Sequence, residues 1–147
     1  MKVRKVIDKE KYLQNMKIPL RLSCVTQSGW PMVLSLWYLY QNEKFYLATP
    51  KKAKVVDYLI NEPRCAFEVA NEKPPYRGIR GQGKTTINSK KGEEILTLLL
   101  ERYLGNLDSP LAKELLSKSK DEVAIEITPL KIFTWDFTER MGSSLSK

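Results

Sequence analysis

The sequence of 147 residues contains no histidine. That absence excludes Ser-His-Asp and Cys-His catalysis and leaves zinc without its commonest ligand. Cysteine is scarce as well: Cys24 and Cys65 are the only two, and each sits inside an apolar pattern. Two separated thiols cannot complete a structural zinc site, so no metal chemistry is expected, and both are read as buried and reduced. Long apolar runs are missing too. The longest, PMVLSLWYLY, is about half of what a membrane helix requires. MKVRKVIDKEKY at the start has charge but no apolar stretch behind it, so no secretory signal is expected and the protein is read as cytoplasmic. No internal repeat or interdomain linker divides the chain. One domain over 1–147 is expected, with 139–147 as a flexible tail.

Positive charge is in excess. Lys and Arg number 25 against 17 Asp and Glu, a formal charge of +8. The excess favours an anionic partner such as nucleic acid, a phosphorylated cofactor or an acidic surface. A Lys-rich surface that serves only solubility remains open.

Asp8 can cap a short helix through EKYLQNM. IPLRLSCVTQ and WPMVLSLWYLY are rich in aliphatic, aromatic and β-branched residues, and Ser28-Gly29 between them predicts a hairpin turn. Asn42-Glu43 marks a second turn, and KFYLAT a third strand. PKKAKVVDYLINEP reads as a helix with Val55, Val56, Leu59 and Ile60 on its apolar face, stopped by Pro63. RCAFEVA is the next strand, and after the loop NEKPP comes YRGIRGQGKTTI. A longer helix follows, capped by Ser89 and ended near Gly105-Asn106. Asp108 or Ser109, followed by Pro110, opens another. EVAIEIT and KIFTWDF close the chain as strands, with a turn at Pro129-Leu130. Strands with helices inserted between hairpins argue for an antiparallel barrel with helices over its openings, not a βαβ series.

One string invites a different conclusion. GIRGQGKT, Gly78 to Thr85, has the spacing of a phosphate-binding P-loop. A P-loop leaves a buried parallel strand and enters a helix at once. Here two prolines precede the string, TTINS follows it, and the helix begins several residues too late. Read as a strand, Gly78, Arg80, Gln82 and Lys84 project from one face, with Ile79 opposite. The glycines then let the strand bend or let something flat approach it.

TPKKAK makes a better anion site. Thr49 suits an N-cap and Pro50 a first helical residue. Lys51, Lys52 and Lys54 then crowd a helix start, where acidic residues are normally preferred. Free amides, a hydroxyl and three lysines would hold a phosphate there. The alternative is that the lysines only point into water.

Taken in order, RLSCVTQSGWPMVLSLWYLY, FYLATPKKAKVVDYLINEPRCAFEV, YRGIRGQGKT and ITPLKIFTWDF resemble the pyridoxamine-phosphate-oxidase-like FMN-binding split barrels, over roughly Leu20 to Phe137. The resemblance implies a mainly β fold, an antiparallel six-stranded split β-barrel with helices packed around it. It also implies a homodimer with FMN in the groove between subunits. The strand holding Ser35, Leu36 and Trp37 matches the one whose backbone runs along the flavin ring, and Thr49 matches a Thr near the phosphate. The family's Ser, basic, basic pattern becomes Ala53, Lys54, Val55, so Lys51 or Lys52 would have to compensate. Gly83 fits the glycine of the family's later strand. Gly78 replaces a flavin-contacting Gln of the oxidase subfamily, whereas Arg80 shares its face and could contribute. Trp135 fits an aromatic of the closing strand. The oxidase's C-terminal Arg and His pattern is missing, which argues against that activity.

The expected function is therefore FMN binding, with flavin-dependent oxidoreduction of a small molecule or a nicotinamide donor. No catalytic residue is named, because the flavin carries the chemistry. Deazaflavin or heme binding, and a flavin-binding protein without turnover, remain open. So does a basic nucleic-acid-binding barrel using Trp37, Tyr38, Tyr40 and Arg80. For Trp30, Trp37 and Trp135, packing is the alternative to stacking on a ligand.

Overall fold

The computed structural model describes residues 7–145. Seven strands form one antiparallel sheet: β1 Leu20–Val25, β2 Pro31–Leu36, β3 Leu39–Gln41, β4 Lys44–Pro50, β5 Arg64–Ala70, β6 Arg77–Asn88 and β7 Glu122–Asp136. Their order across the sheet is β2-β1-β5-β6-β7-β4-β3. The two edge strands are therefore consecutive in sequence, joined only by Trp37 and Tyr38. Strands lie about 4.8 Å apart, so a flat sheet of this width would separate its edges by roughly 30 Å. Two residues cannot span that. The sheet must roll until its edges meet, giving a barrel interrupted along one seam. Counted as a single broken strand, β2 and β3 bring the staves to the expected six.

WPMVLSLWYLY, expected as one strand, is thus two. EVAIEIT and KIFTWDF, expected as two strands with a turn, are one: β7 runs unbroken through Pro129. The ladder absorbs that proline at a bulge. Gln82 faces Lys131 and Gly83 faces Pro129, leaving Leu130 over. A bulge is where a strand tolerates a residue with no N–H to donate.

Alternate residues of the staves fill the interior, among them Leu20, Leu22, Phe45, Leu47, Phe67, Val69, Ile79, Ile125 and Ile127. Helix α1 (Lys9–Asn15) adds Tyr12 and Leu13, and α2 (Lys54–Asn61) adds Val55, Val56 and Leu59. Ile60 does not share that face and is exposed. Helix α3 (Gly92–Leu104) packs outside the wall, with Ile95 and Leu99 on Tyr46 and Ala124. Helix α4 (Pro110–Ser117) covers α3 through Ala112.

Two expected caps form. Asp8 accepts from the Lys11 amide at 3.2 Å, and Ser109 from the Ala112 amide at 3.1 Å. Ser89 caps nothing, because β6 continues to Asn88 and the Asn88 side chain turns the chain by accepting from the Lys90 amide. The helix starts only at Gly92, where a Cβ would lie 2.0 Å from the Glu122 carbonyl oxygen. The tail expected over 139–147 overlaps helix α5 (Thr138–Leu145); residues 146–147 lie outside the described part.

GIRGQGKT lies wholly within β6 and pairs with β5 on one side and β7 on the other. Its glycines serve close approach. A Cβ on Gly81 would meet the Lys131 carbonyl oxygen at 2.1 Å and the Phe67 ring at 2.7 Å. The flat object against the strand is thus the protein's own Phe67. Since one clashing atom is backbone, Gly81→Ala is expected to cost about 3 kcal/mol, the upper range for overpacking. Urea unfolding would check this, and an unchanged midpoint would contradict it.

Candidate cofactor groove

The strand residues that alternate with the core build the outer face. Cross-strand register sets them in rows. Ser35 pairs Arg21, Arg21 pairs Glu68, Glu68 pairs Arg80, and Arg80 pairs Phe133. Small residues, Ser23 and Ala66, lie in the next row, so the face is hollowed between Val33 and Phe133. The groove measures about 580 Å³, within the usual range for small-molecule sites.

Two cations border it in different states. Arg21 is held, donating to the Ser35 hydroxyl at 2.8 Å and to Glu72 at 3.1 Å. Arg80 makes no ion pair among the described residues; its guanidinium lies 5.9 Å from the Trp135 ring centroid. The structure therefore brings Arg80 and Trp135 together. Ser35 is exposed on the same face, where it fixes Arg21.

The other residues of that strand point elsewhere. Leu36 packs against the main core. The Trp37 ring stacks on Tyr103 at 4.9 Å and 7°, so α3 engages it. The seam itself is firmly anchored. The Tyr103 hydroxyl accepts from the Tyr38 amide at 3.2 Å and donates to the Ile18 carbonyl at 2.9 Å. Arg102 donates to the carbonyls of Leu13, Gln14 and Met16 at 2.8–2.9 Å, and its guanidinium lies 5.0 Å and 5.4 Å from the Tyr38 and Tyr103 ring centroids.

The lysine turn differs from its expected form. Thr49 is not an N-cap. It is buried within β4, paired to Val123, and Pro50 ends the strand. The Lys51 amide donates to the Asp121 carbonyl at 2.8 Å, so sheet-like pairing runs on and a turn intervenes before α2. Ala53 is the N-cap, without a side-chain bond, and Lys54 the first helical residue. Lys51 reaches Asp121 at 3.4 Å, whereas Lys52 and Lys54 are exposed with no ion pair among the described residues. Val55 lies in the core, which explains why no second basic residue follows Lys54.

Within one chain the two sets of candidate residues stay apart. Val123, beside Thr49, and Trp135, beside Arg80, are at opposite ends of β7. Twelve residue steps of strand separate them, a contour of about 40 Å. None of Thr49, Lys51, Lys52 or Lys54 lines the groove. Arg21, Glu68 and Phe133 line it although the sequence did not single them out; polar alternation in β1 and β5 was the available signal.

No protein-family model matches the sequence, and no curated protein does. Solved structures do. An F420 reductase superposes with a TM-score of 0.72 over 87% of this chain and 98% of its own, at 22% identity. The heme storage protein HutZ of Vibrio cholerae gives 0.67 over 89% and 94%, at 13% identity. An FAD-binding protein from Mesorhizobium loti gives 0.64 over 91% and 97%, at 16% identity. The fold is the pyridoxamine-phosphate-oxidase-like split barrel.

One carboxylate of this split barrel sits awkwardly beside the lysine turn. Glu122 pairs with Pro50, and its Oε2 is buried without a hydrogen-bond partner. Burial pushes its pKa above the ordinary value of about 4.3. A raised carboxylate pKa means that the folded state binds the proton more tightly than the unfolded chain. The penalty is therefore present at neutral pH and fades as pH falls through the raised pKa. Glu122→Gln is expected to raise the melting temperature at pH 7 and to flatten its dependence on pH in weak acid. A lower melting temperature at pH 7 would count against this.

Proposed function

We propose that the protein binds FMN and acts as a flavin-dependent oxidoreductase, as a homodimer with each cofactor held between subunits. The observation that carries this is the separation of the two sets of binding residues. Lys52 and Lys54 are unpaired cations suited to a phosphate, and Arg80 with Trp135 offers a cation and a ring suited to a flat heteroaromatic. One cofactor could use both sets only if two copies meet. The groove face also exposes Val33 at 68% and Phe133 at 54%, apolar surface that a second copy would cover. A two-fold pairing across this face would bring the lysine turn of one copy toward Arg80 of the other.

The residues fit such a cofactor, which would supply hydride transfer when bound. The chain's own part is to bind and orient it. Lys52 and Lys54, helped by Lys51, would neutralise the phosphate; Arg80 would polarise the ring edge; the coupled faces would exclude water. Hydride transfer from a nicotinamide donor releases no proton, so that half-reaction needs no histidine.

Deazaflavin or heme is the second reading, favoured by an F420 reductase and a heme storage protein sharing the fold. Nucleic acid fits less well, since the groove has the size of a small-molecule site.

The double variant Lys52→Glu/Lys54→Glu is expected to lose FMN retention while keeping its fold. Arg80→Ala is expected to weaken binding about tenfold, or ~1.4 kcal/mol. Fluorescence titration of FMN reads both. Full occupancy in the double variant would sink the phosphate assignment.

A further inference from the structure

The groove contains a carboxylate with no role so far. Glu68 on β5 lines it and is exposed. Register places Arg21 of β1 on one side of it and Arg80 of β6 on the other. Opposite charges set directly across a ladder normally attract and pair. Here they do not: Glu68 takes no hydrogen bond or ion pair among the described residues. Each arginine is drawn away from it, Arg21 to Ser35 and Glu72, Arg80 toward the Trp135 ring. A carboxylate with a cation on either side is thus left with its acceptors free.

We propose that Arg21, Glu68 and Arg80 recognise the imide edge of the cofactor's ring system, and that Glu68 sets specificity by accepting the imide N–H. This role rests on flavin binding as proposed above and names the groups that select the ring. An imide presents carbonyl, N–H and carbonyl in sequence: acceptor, donor, acceptor. The row presents guanidinium, carboxylate and guanidinium: donor, acceptor, donor. Adjacent strands lie about 4.8 Å apart, so the carboxylate has a cation one strand spacing away on each side. Bonds to ionised partners are roughly twice as strong as those between neutral groups. Arg21 has donors to spare, since a guanidinium carries about five N–H groups and Ser35 and Glu72 engage one each.

The surroundings suit a flat ring at this row. Phe133 and Trp135 are alternate residues of β7 and share the outer face beside Arg80, while Ala66 and Gly81 keep the floor low. The row also separates the two cofactor readings. FMN and deazaflavins both carry an imide edge. Heme has none, and its propionates would meet Glu68 as like charge, an element that discriminates against it. A ligand without the N–H would cover the carboxylate and leave it unpaired, which is how polar sites reject close analogues.

Fluorescence titration of the purified full-length protein with FMN, N3-methyl-FMN and 5-deaza-FMN tests this role. The N3-methyl group removes the imide donor and leaves the phosphate and the ring carbonyls in place. Wild type is expected to bind FMN at least about tenfold more tightly than N3-methyl-FMN. Glu68→Ala should weaken FMN to the level of the methylated analogue and leave that analogue's affinity unchanged. Glu68→Gln, which keeps an acceptor oxygen, should restore part of the preference. Equal binding of FMN and N3-methyl-FMN by wild type would overturn the imide assignment and leave flavin binding intact, as would a preference that survives in Glu68→Ala. Binding of 5-deaza-FMN that depends on Glu68, without binding of FMN, would uphold the assignment and overturn FMN as the cofactor. Binding of none of the three would overturn both.

Discussion

Two residues, Trp37 and Tyr38, join the opposite edges of the sheet, and the fold follows from that short connection. Edges so linked must meet, so the sheet rolls; a rolled sheet needs an interior that fits its curvature. The seam is held from outside. Tyr103 bonds the Tyr38 backbone and stacks on Trp37, while Arg102 gathers three carbonyls at the end of α1. Hydrogen bonds to a charged group are worth about 1.5–3 kcal/mol each, enough to fix where the seam lies. Across the barrel, the glycines of β6 provide the complementary freedom. With no Cβ at Gly81 and Gly83, Phe67 and the backbone of β7 can close against the strand.

Rolling also makes the candidate groove. The outward residues of β1, β5 and β6 stand in rows over a small-residue floor, and Phe133 and Val33 rise at either side. The groove is therefore a by-product of strand register and needs no dedicated loop. The lysine turn has a different origin. β4 continues its pairing with β7 to Pro50, and only then does the chain turn into α2. These two features are fixed at opposite ends of β7, and under the proposed function a second subunit would be the way to unite them on one cofactor.

Much of the fold was legible in local pattern, because local pattern caused it. Period-two alternation in LRLSCV and RCAFEVA marks inward and outward faces, and Asp8 and Ser109 cap the helices that follow them. GIRGQGKT could be read as a strand because its flanks suit neither side of a P-loop. Where local rules failed, a longer-range contact had prevailed. Thr49 and Pro50 look like a helix start, but the ladder to β7 claims them first. Pro129 looks like a turn, yet a bulge opposite β6 accommodates it. For Trp37 the sequence left stacking on a ligand and packing both open, and Tyr103, distant in sequence, supplies the packing partner. Arg21, Glu68 and Phe133 could not be grouped from sequence, since three separate strands supply them.

The central claim is that the chain holds FMN through its unpaired lysines and the Arg80–Trp135 face. The most direct measurement is an absorbance spectrum of the purified protein, repeated during titration with FMN. The account predicts flavin bands in the isolated protein, or bands of added FMN that shift and saturate at one cofactor per chain. A colourless protein that leaves the FMN spectrum unperturbed would contradict it.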